Sequence, residues 1–405
     1  MKILYLHQYF NTPDMKGGTR SYEMAKRMVS AGHEVHMITS YRSVSNQKSR
    51  WNVEVIDGIN VHWLTVPYSN RMGYLKRIKA FFQFAHSAGK RAIDVGGDII
   101  FASSTPLTVA IPAIKVKKKL DIPMVFEVRD LWPELPIAIG ALKSPITIWL
   151  GKKLERYAYN NSNHVVALSP GMAIGVVKAG YSKENVSIIP NSCDLDLFNV
   201  PESYGQMFRS KYKWLNERPL VLYSGTLGRM NGVDFLVHVA KAMLELNSNV
   251  RFLILGEGAE KARILELAQK LQVYNKNFYM LDRISKKEMP AALSAANICT
   301  SLFVDIKEMW ANSANKFFDS LAAGRPIAIN YGGWHKELIE SEELGVVLNV
   351  KDPSESAIKL LSLIEDQETY KRCAKNASKV ARYRFSRDLL ANELIEKLEE
   401  VRETY

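Results

Sequence analysis

The chain has 405 residues and a formal net charge of +12, with 47% hydrophobic and 24% charged residues. This balance is typical of a globular protein of two or three domains and excludes disordered or collagen-like structure. Three scattered cysteines exclude a disulfide scaffold or a structural zinc site. The sequence has no run of about 18 apolar residues, so no membrane span is predicted. The basic excess favours anionic partners: nucleic acid, acidic lipid or phosphorylated small molecules.

The N-terminal half of the chain alternates apolar strand patterns with helical patterns. Helical spacing over 20–31 follows the first strand, and further helical stretches lie between the later strands. The predicted strands are 2–7, 34–40, 60–66, 98–103, 123–128 and 163–168. Strand–helix–strand repetition predicts a parallel sheet with helices on both faces.

The same alternation starts again near residue 219. The predicted strands are 219–224, 250–255, 277–281, 298–303 and 326–330, and the predicted helices are 233–246, 261–271, 286–295, 315–323 and 389–402. A polar stretch without periodicity, 191–203, separates the halves. The sequence therefore predicts an α/β protein of two Rossmann-like, doubly wound parallel-sheet units. Such sheets bind ligands at the carboxyl ends of their strands, so two units facing across a cleft favour two-substrate transfer chemistry.

The loop between the first strand and the first helix is the first candidate site. Gly17 and Gly18 let a ligand approach the backbone closely, and the following helix offers free N–H groups to an anion. The alternative is an ordinary surface turn. Its place at the carboxyl end of a strand favours donor binding.

The second candidate loop, EVRDLWPE at 127–134, directly follows an apolar strand. Arg129 and Asp130 can bind hydroxyls or a phosphate, Trp132 offers a flat apolar wall to a sugar or base, and Glu134 adds a carboxylate. The alternative is an ion pair that stabilises the loop. We expect these residues to serve the acceptor side.

Glycine-rich turns follow two strands of the second half. The turn SGTLGRMNG at 224–232 fits neither a P-loop nor a dinucleotide-binding pattern, which argues against a P-loop kinase and a dehydrogenase. Arg229 nevertheless places a guanidinium where a diphosphate could bind. The candidate donor-binding residues of these turns are Gly225, Thr226, Gly256 and Glu257.

The fourth candidate segment, 308–324, leads into a helix. It combines N–H groups, a cation and a carboxylate at one helix N-terminus, the set that a nucleoside diphosphate needs. The residues are Asn312, Ser313, Asn315, Lys316 and Asp319. The alternative is a capped helix with an internal lysine.

These motifs resemble those of the retaining GT-B glycosyltransferases of family 4, also called glycosyl transferases group 1. The resemblance covers nearly the whole chain, and the order and spacing of the motifs together are specific to the family. The matching segments are the Gly17-Gly18 loop, AGHEV at 31–35, IPNSCDLDLF at 189–198, the turn at 225–232, LGEG at 255–258 and FFDSLAAGRPI at 317–327.

The resemblance implies a domain organisation and a chemistry. It implies an acceptor-side domain over 1–192, a domain over 193–380 that binds the nucleotide-sugar donor, and a C-terminal helix over 381–405 that packs on the first domain. It implies a UDP-linked donor, retention of anomeric configuration, no metal and no further cofactor.

The family motif has two acidic positions, and this chain has an acidic residue at only one of them. Asp319 falls at the second position, which implies a contact with the ribose. Ala311 occupies the first position, where the family has a sugar-contacting glutamate. Glu308 lies three residues earlier, and whether it replaces that glutamate stays open.

The family's basic residues beside the glycine turn are also absent, because Thr226 and Asn231 stand there. Arg229 and Lys316 are therefore our candidates to neutralise the diphosphate. These departures, with RDLWPE at 129–134, resemble the transferases of N-acetyl-L-fucosamine in bacterial O-antigen and capsule assembly.

The implied chemistry is stabilisation of charge on the departing β-phosphate, with Arg229 and Lys316 as catalytic residues. In a front-face path the phosphate itself takes the acceptor proton, and Asp130 orients the acceptor hydroxyl.

Residues 71–91 carry basic side chains, no acidic ones, and an apolar helical stripe of Tyr74, Ile78, Phe81, Phe82 and Ala85. Such a helix can lie on an anionic inner-membrane surface, where a lipid-diphosphate-linked glycan would be the acceptor. The alternative is an ordinary helix packed on the sheet. We expect a cytoplasmic protein, peripheral on the inner membrane.

Two other classes of function stay open at this point. A GT-B-like sugar-nucleotide epimerase would share the fold but needs paired acid and base groups. A nucleic-acid-binding protein needs clustered aromatic and basic residues in one groove, and no such module is found, so nucleic acid is not an expected partner.

Overall fold

The computed structural model describes residues 1–15, 17–42, 50–68 and 72–405. They form two α/β units, here called unit 1 (Met1–Pro190 with Asp388–Tyr405) and unit 2 (Asn191–Arg387). The chain thus passes between the units after Pro190 and after Arg387. The borders predicted from the sequence were 192 and 380.

The strands are short and mostly buried. In chain order they are β1 Lys2–Leu6, β2 Glu34–Tyr41, β3 Trp51–Ile56, β4 Ile59–Thr65, β5 Ile99–Ser103, β6 Met124–Val128, β7 His164–Ala167, β8 Val186–Ile188, β9 Leu220–Ser224, β10 Arg251–Leu255, β11 Phe278–Leu281, β12 Ile298–Ser301, β13 Ile327–Ile329 and β14 Gly345–Val347. The strands predicted from apolar runs are confirmed to within a few residues.

Helices connect most of the strands. In chain order they are α1 Arg20–Ser30, α2 Tyr74–Val95, α3 Ala110–Leu120, α4 Glu134–Ala138, α5 Pro145–Asn160, α6 Pro170–Lys178, α7 Leu195–Phe198, α8 Glu202–Ser210, α9 Asp234–Leu246, α10 Lys261–Lys270, α11 Met289–Ala295, α12 Asn315–Ala322, α13 Trp334–Glu342, α14 Pro353–Glu365, α15 Gln367–Tyr383 and α16 Arg387–Glu403. Helix α15 packs against α12 and α14, which explains why unit 2 extends beyond residue 380.

Unit 1 contains a sheet of order β3-β4-β2-β1-β5-β6-β7-β8. Its pairs are parallel except β3 with β4, which form an antiparallel hairpin at one edge. Asp57 and Gly58 make the hairpin turn with φ angles of 48° and 81°, which an Asp-Gly pair favours. Strands β3 and β8 were not predicted, because neither has the continuous apolar run of a central strand.

Unit 2 contains a fully parallel sheet of order β11-β10-β9-β12-β13-β14. Its core lies between the sheet and helices that include α9 and α14, where Phe252, Leu236 and Leu360 are fully buried. Leu255 pairs with Ser224 at the carboxyl ends of β10 and β9. The loops after these strands therefore emerge together at one edge of the sheet.

Helix α2 contains most of the predicted membrane-binding segment, but residue 71 and the side chain of Tyr74 lie outside the described part. Much of its apolar stripe faces the protein: Ala85 is buried, Ile78 and Phe81 are half-buried, and Phe82 is exposed. The helix packs on α3, where a Cβ on Gly89 would lie 3.3 Å from Pro112. Packing thus accounts for part of the stripe, and a membrane contact through this helix stays a prediction.

Within the described ranges, no helix is long and apolar enough to cross a bilayer.

Candidate functional site

In unit 2, Lys316 lies against the loop that follows β9. Its Nζ donates to the Tyr223 hydroxyl (3.1 Å) and lies over the rings of Tyr223 and Phe303, 4.6 and 5.5 Å from their centroids. A Cβ on Gly225 would lie 3.3 Å from Lys316 Cε. The predicted glycine turn and the predicted lysine, 91 positions apart in the sequence, therefore meet at the same edge of the sheet.

The ammonium group of Lys316 has an unusual environment. No acidic side chain of the described residues lies within ion-pair distance of it, and burial lowers its pKa to about 8. With its amide oriented so that the nitrogen donates to the Thr226 carbonyl (2.9 Å), Asn231 accepts from Lys316 at 3.2 Å. A cation held only by neutral groups is suited to bind an anion.

The two glycine turns of unit 2 touch through their backbones. A Cβ on Gly256 would lie 2.0 Å from the Gly225 carbonyl oxygen, and one on Gly258 would lie 2.2 Å from the Leu227 oxygen. The Leu227 N–H donates to the Glu257 carbonyl at 2.9 Å. The glycines are therefore needed for this close approach, and the turns form one structural element.

The side chains of this element have different surroundings. Glu257 pairs with Lys261 at 2.7 Å in an exposed ion pair, and Thr226 is exposed. Arg229 lies in a 3₁₀ turn, Arg229–Asn231, and is exposed, with no hydrogen-bond or ion-pair partner in the described part of the chain. Its guanidinium is available to a ligand, as the prediction requires.

The segment before α12 holds its own shape through Asn312 and Ser313. Ser313 accepts the backbone N–H of Asn191 at 3.0 Å, and Asn312 donates to the Met309 carbonyl at 2.6 Å. Trp334 donates its indole N–H to the Asn312 carbonyl at 2.7 Å. Both side chains therefore have structural partners besides the donor-binding role predicted for them.

Helix α12 begins at Asn315, which is exposed, and its N-cap residue is Ala314. Alanine has no side-chain acceptor, so the first N–H groups of the helix receive no side-chain cap. They lie beside Lys316, and an anion at this end would find both the helix N–H groups and the ammonium.

Asp319 lies in a charged environment that the sequence analysis did not connect with it. Burial raises the pKa of its carboxyl to about 7, against the opposing effect of Arg387 and Lys286. Both cations also lie 3.7 Å from Asp194. The ribose contact of Asp319 stays a prediction.

Trp310 directly precedes Ala311, the position of the missing family glutamate. Trp310 packs on the glycine pair before α13, where a Cβ on Gly332 would lie 2.9 Å from its ring. His335 is fully buried and stacks on Phe317 at 4.1 Å, and burial lowers the pKa of His335 to about 3. His335 therefore has a structural role, and Glu308, a candidate substitute, is exposed on the turn Lys307–Ala311.

In unit 1, a buried ion pair underlies the candidate acceptor loop. Arg20, the first residue of α1, lies 2.9 Å from Glu127 at the end of β6, and Ser103 donates to the same carboxylate at 2.6 Å. Arg20 also donates to the Ile189 and Pro190 carbonyls at 2.9 and 2.6 Å. Arg20 was not among the predicted site residues, although an arginine two residues after Gly18 and a glutamate inside an apolar strand were visible signals.

Arg129 contacts the buried side chain of His7. Its Nη1 lies 3.2 Å from His7 Nε2 and 3.3 Å from the Ser21 hydroxyl. His7 Nδ1 lies 3.1 Å from the Ser103 carbonyl, and burial beside Arg129 lowers the pKa of His7 to about 3. A neutral His7 that donates from Nδ1 and accepts at Nε2 fits both contacts, so His7 helps to hold Arg129 in place.

The carboxyl groups of the acceptor loop are only partly exposed. Asp130 accepts from the Thr105 hydroxyl at 3.0 Å, and burial raises its pKa. Trp132 is half-buried, and Glu134 begins α4 and acts electrostatically on the buried Glu155. Arg129, Asp130, Trp132 and Glu134 are all half-buried, and the acceptor-side role of each stays a prediction.

Hydrogen bonds from Asn11 fix the backbone of the turn at Gly17 and Gly18. Asn11 donates to the Tyr9 and Gly18 carbonyls at 3.1 and 3.2 Å, and a Cβ on Gly17 would lie 2.6 Å from Asn11 Nδ2. Gly17 has a φ of 135°, which favours glycine. Both glycines are exposed, so their backbone is open to a ligand.

No group of three or more His, Cys, Asp or Glu side chains in the described ranges is arranged to hold a metal ion.

Comparison with known families accounts for most of the chain. Residues 17–192 match the model described as "Glycosyl transferase 4-like domain", and residues 206–380 match "Glycosyl transferases group 1". Together they cover the four candidate loops except the start of the first.

Two curated bacterial proteins are similar over most of their length. The glycosyl transferase WcaI of Escherichia coli K12, whose name assigns it to colanic acid biosynthesis, is 24% identical over 72% of this chain and 74% of that protein. The glycosyltransferase WbjE of Pseudomonas aeruginosa is 23% identical over 71% of this chain and 72% of its own.

Among solved structures, that of Anabaena Alr3699/HepE in complex with UDP is similar over 99% of this chain and 100% of that chain, with a TM-score of 0.72 and 17% identity. At this identity the likeness shows a shared fold.

Proposed function

Because the chain belongs to the group 1 glycosyltransferases and has the GT-B fold, we propose that it transfers a sugar from a UDP-sugar to a lipid-diphosphate-linked saccharide in bacterial surface polysaccharide synthesis. Family membership makes the chain a transferase, and the epimerase and nucleic-acid-binding alternatives lose their support. The observation that carries the donor assignment is Lys316, a cation without an acidic partner in the described residues, placed at the start of α12 and against Gly225.

The choice of donor and pathway has separate support. Alr3699/HepE binds UDP on a similar fold, and WcaI is named for the synthesis of a surface polysaccharide. The resemblance of residues 129–134 to N-acetyl-L-fucosamine transferases makes that sugar our candidate. The O-antigen or capsule is the proposed product, and the proposed location is the cytoplasmic face of the inner membrane.

In the proposed reaction the bond between the sugar C1 and the β-phosphate oxygen breaks as C1 bonds to the acceptor oxygen. The acceptor proton passes to the departing phosphate, and the anomeric configuration is retained. Lys316 and Arg229 stabilise the charge that develops on the phosphate, without a metal ion. Asp130 accepts a hydrogen bond from the acceptor hydroxyl and orients it.

Titration calorimetry with UDP tests the donor site. We expect Lys316→Met and Arg229→Ala each to weaken UDP binding by about tenfold to a hundredfold, because each removes a charge-assisted hydrogen bond. Lys270→Met, on the exposed end of α10, is the matched control and should leave binding unchanged. Normal UDP affinity in both site variants would refute the assignment.

Transfer is tested with a panel of nucleotide sugars and a lipid-diphosphate-linked acceptor. We expect turnover with a UDP-sugar to persist in a chelator. Loss of turnover with the chelator, restored by magnesium, would contradict the metal-independent mechanism.

A further inference from the structure

Helix α5 carries a group of large apolar side chains on its outer surface. Ile146, Trp149 and Leu150 are 70%, 58% and 52% exposed, and Tyr157 is 42% exposed. With Lys153 they occupy positions i, i+3, i+4, i+7 and i+11, which form one face of a helix. We call these five residues the α5 patch.

The inner face of the same helix is packed. Glu155, Ala158 and Tyr159 are buried on the side opposite the α5 patch. A Cβ on Gly151 would lie 3.0 Å from Pro133 of the candidate acceptor loop. Because α5 already packs on the protein through this buried face, packing of the helix does not explain the exposed apolar side chains.

On α5 and the turn before it, the exposed charged side chains are all cations. The exposed cations of this segment are Lys143, Lys152, Lys153 and Arg156, and no ion pair with a described residue neutralises any of them. The acidic residue of α5, Glu155, is buried, and burial and Glu134 raise its pKa to about 8 against the opposing effects of Tyr159, Arg156 and Lys152. The solvent-facing side of α5 thus combines apolar and cationic groups.

The basic surface continues onto α3. The Lys118 ammonium lies 5.8 Å from the Tyr157 ring centroid, and Lys153 lies 5.0 Å from that of Trp149. Lys115 and Lys119 are also exposed on α3. Lysine is depleted at the centres of protein interfaces, so this composition fits anionic lipid better than a protein partner.

We propose that the α5 patch binds the surface of an anionic lipid bilayer, with Trp149 and Leu150 at the level of the acyl-chain boundary and the cations at the headgroups. This inference rests on the proposed function, because α5 packs on the loop that contains Asp130 and Trp132. A bilayer under α5 brings the candidate acceptor loop to the surface in which a lipid-linked acceptor resides. The assignment moves the membrane contact from α2, where the sequence placed it, to α5.

Co-sedimentation of the full-length chain with vesicles tests the proposal, with equal parts phosphatidylglycerol and phosphatidylcholine against phosphatidylcholine alone. We expect binding to the anionic vesicles, and we expect Trp149→Ser with Leu150→Ser to weaken it about tenfold or more. Phe82→Ser, which removes an exposed aromatic side chain from α2, should bind like the wild type.

A second pair of variants tests the charge without touching an apolar residue. Lys152→Glu with Lys153→Glu should weaken vesicle binding by about tenfold at low salt, and less at high salt. Lys270→Glu with Lys276→Glu, which makes the same change of net charge on exposed residues of unit 2, should have little effect.

Three results would overturn the proposal: no binding of the wild type to anionic vesicles, loss of binding in the Phe82 variant with retention in the α5 variants, or a dimer of the wild type that the Trp149 and Leu150 substitutions dissociate. The last result would show that a second copy covers the patch. UDP calorimetry on the same variants distinguishes failure of the membrane proposal from failure of the proposed function. Normal UDP binding without vesicle binding defeats only the membrane proposal, whereas absence of UDP binding defeats the proposed function.

Discussion

The protonation of Lys316 should control the affinity for UDP. Its pKa of about 8 means that roughly nine tenths of the molecules carry the charge at pH 7 and about one tenth at pH 9. A bound diphosphate favours the charged form, so binding takes up a proton when the free lysine is neutral. UDP affinity should therefore fall about tenfold between pH 7 and pH 9, and Lys316→Met should remove this dependence.

Calorimetry in buffers of different ionisation enthalpy measures both quantities. At pH 8, UDP binding by the wild type should take up about half a proton per molecule. Lys316→Arg is the control, because arginine stays charged over this range and any ionisation of UDP itself contributes equally. The reasoning is refuted if the wild type and the arginine variant show the same pH dependence.

The same shift affects the stability of the unliganded protein. Because the pKa of Lys316 is lower in the folded state than its ordinary value of 10.5, the unfolded chain binds more protons between about pH 8 and 10.5, and stability rises with pH there. At pH 7 the buried charge is a cost, and Lys316→Met should raise the free energy of unfolding by about 1–3 kcal/mol. Chemical denaturation without ligand measures the gain, and a loss of stability would contradict it.

Other substitutions test the packing of the site. Gly256→Ala should destabilise the protein by about 1–3 kcal/mol, because a carbonyl oxygen lies 2.0 Å from the new Cβ; chemical denaturation measures the loss, and unchanged stability would contradict this packing. Glu127→Gln leaves a buried arginine without its charge partner and should cost about 3–5 kcal/mol, and Glu34→Gln, at an exposed pair, less than about 1 kcal/mol. Asp130→Asn should lower transfer while leaving UDP binding unchanged; a parallel loss of both would contradict its acceptor role.

The central strands could be predicted because they are buried on both faces and read as continuous apolar runs, as in β5 and β10. The edge strands could not be found in this way, since β3 is largely exposed, although its Asp57-Gly58 turn is a hairpin signal. Each glycine turn could be predicted from the sequence only as a separate feature. Their backbone contact depends on tertiary structure.

The side chains of the site divide similarly. That Lys316 and the glycine turn meet could be predicted, because both follow strands whose carboxyl ends lie at one edge of the sheet. Their roles in binding stay predictions. The pairing of Arg20 with Glu127, 107 positions apart, depends on the order of strands in the sheet. The membrane contact of α2 stays a prediction for a related reason, because periodicity alone does not tell a face that packs on the protein from one that faces a membrane.

The contact between the two glycine turns of unit 2 restricts how this protein can be redesigned. A turn transplanted from another enzyme in place of 225–228 would have to fit a neighbour that leaves no room for a methyl group at Gly256 or Gly258. Engineering of a new donor preference should therefore exchange the two turns as one cassette, or vary exposed positions such as Thr226 and leave the crossing intact.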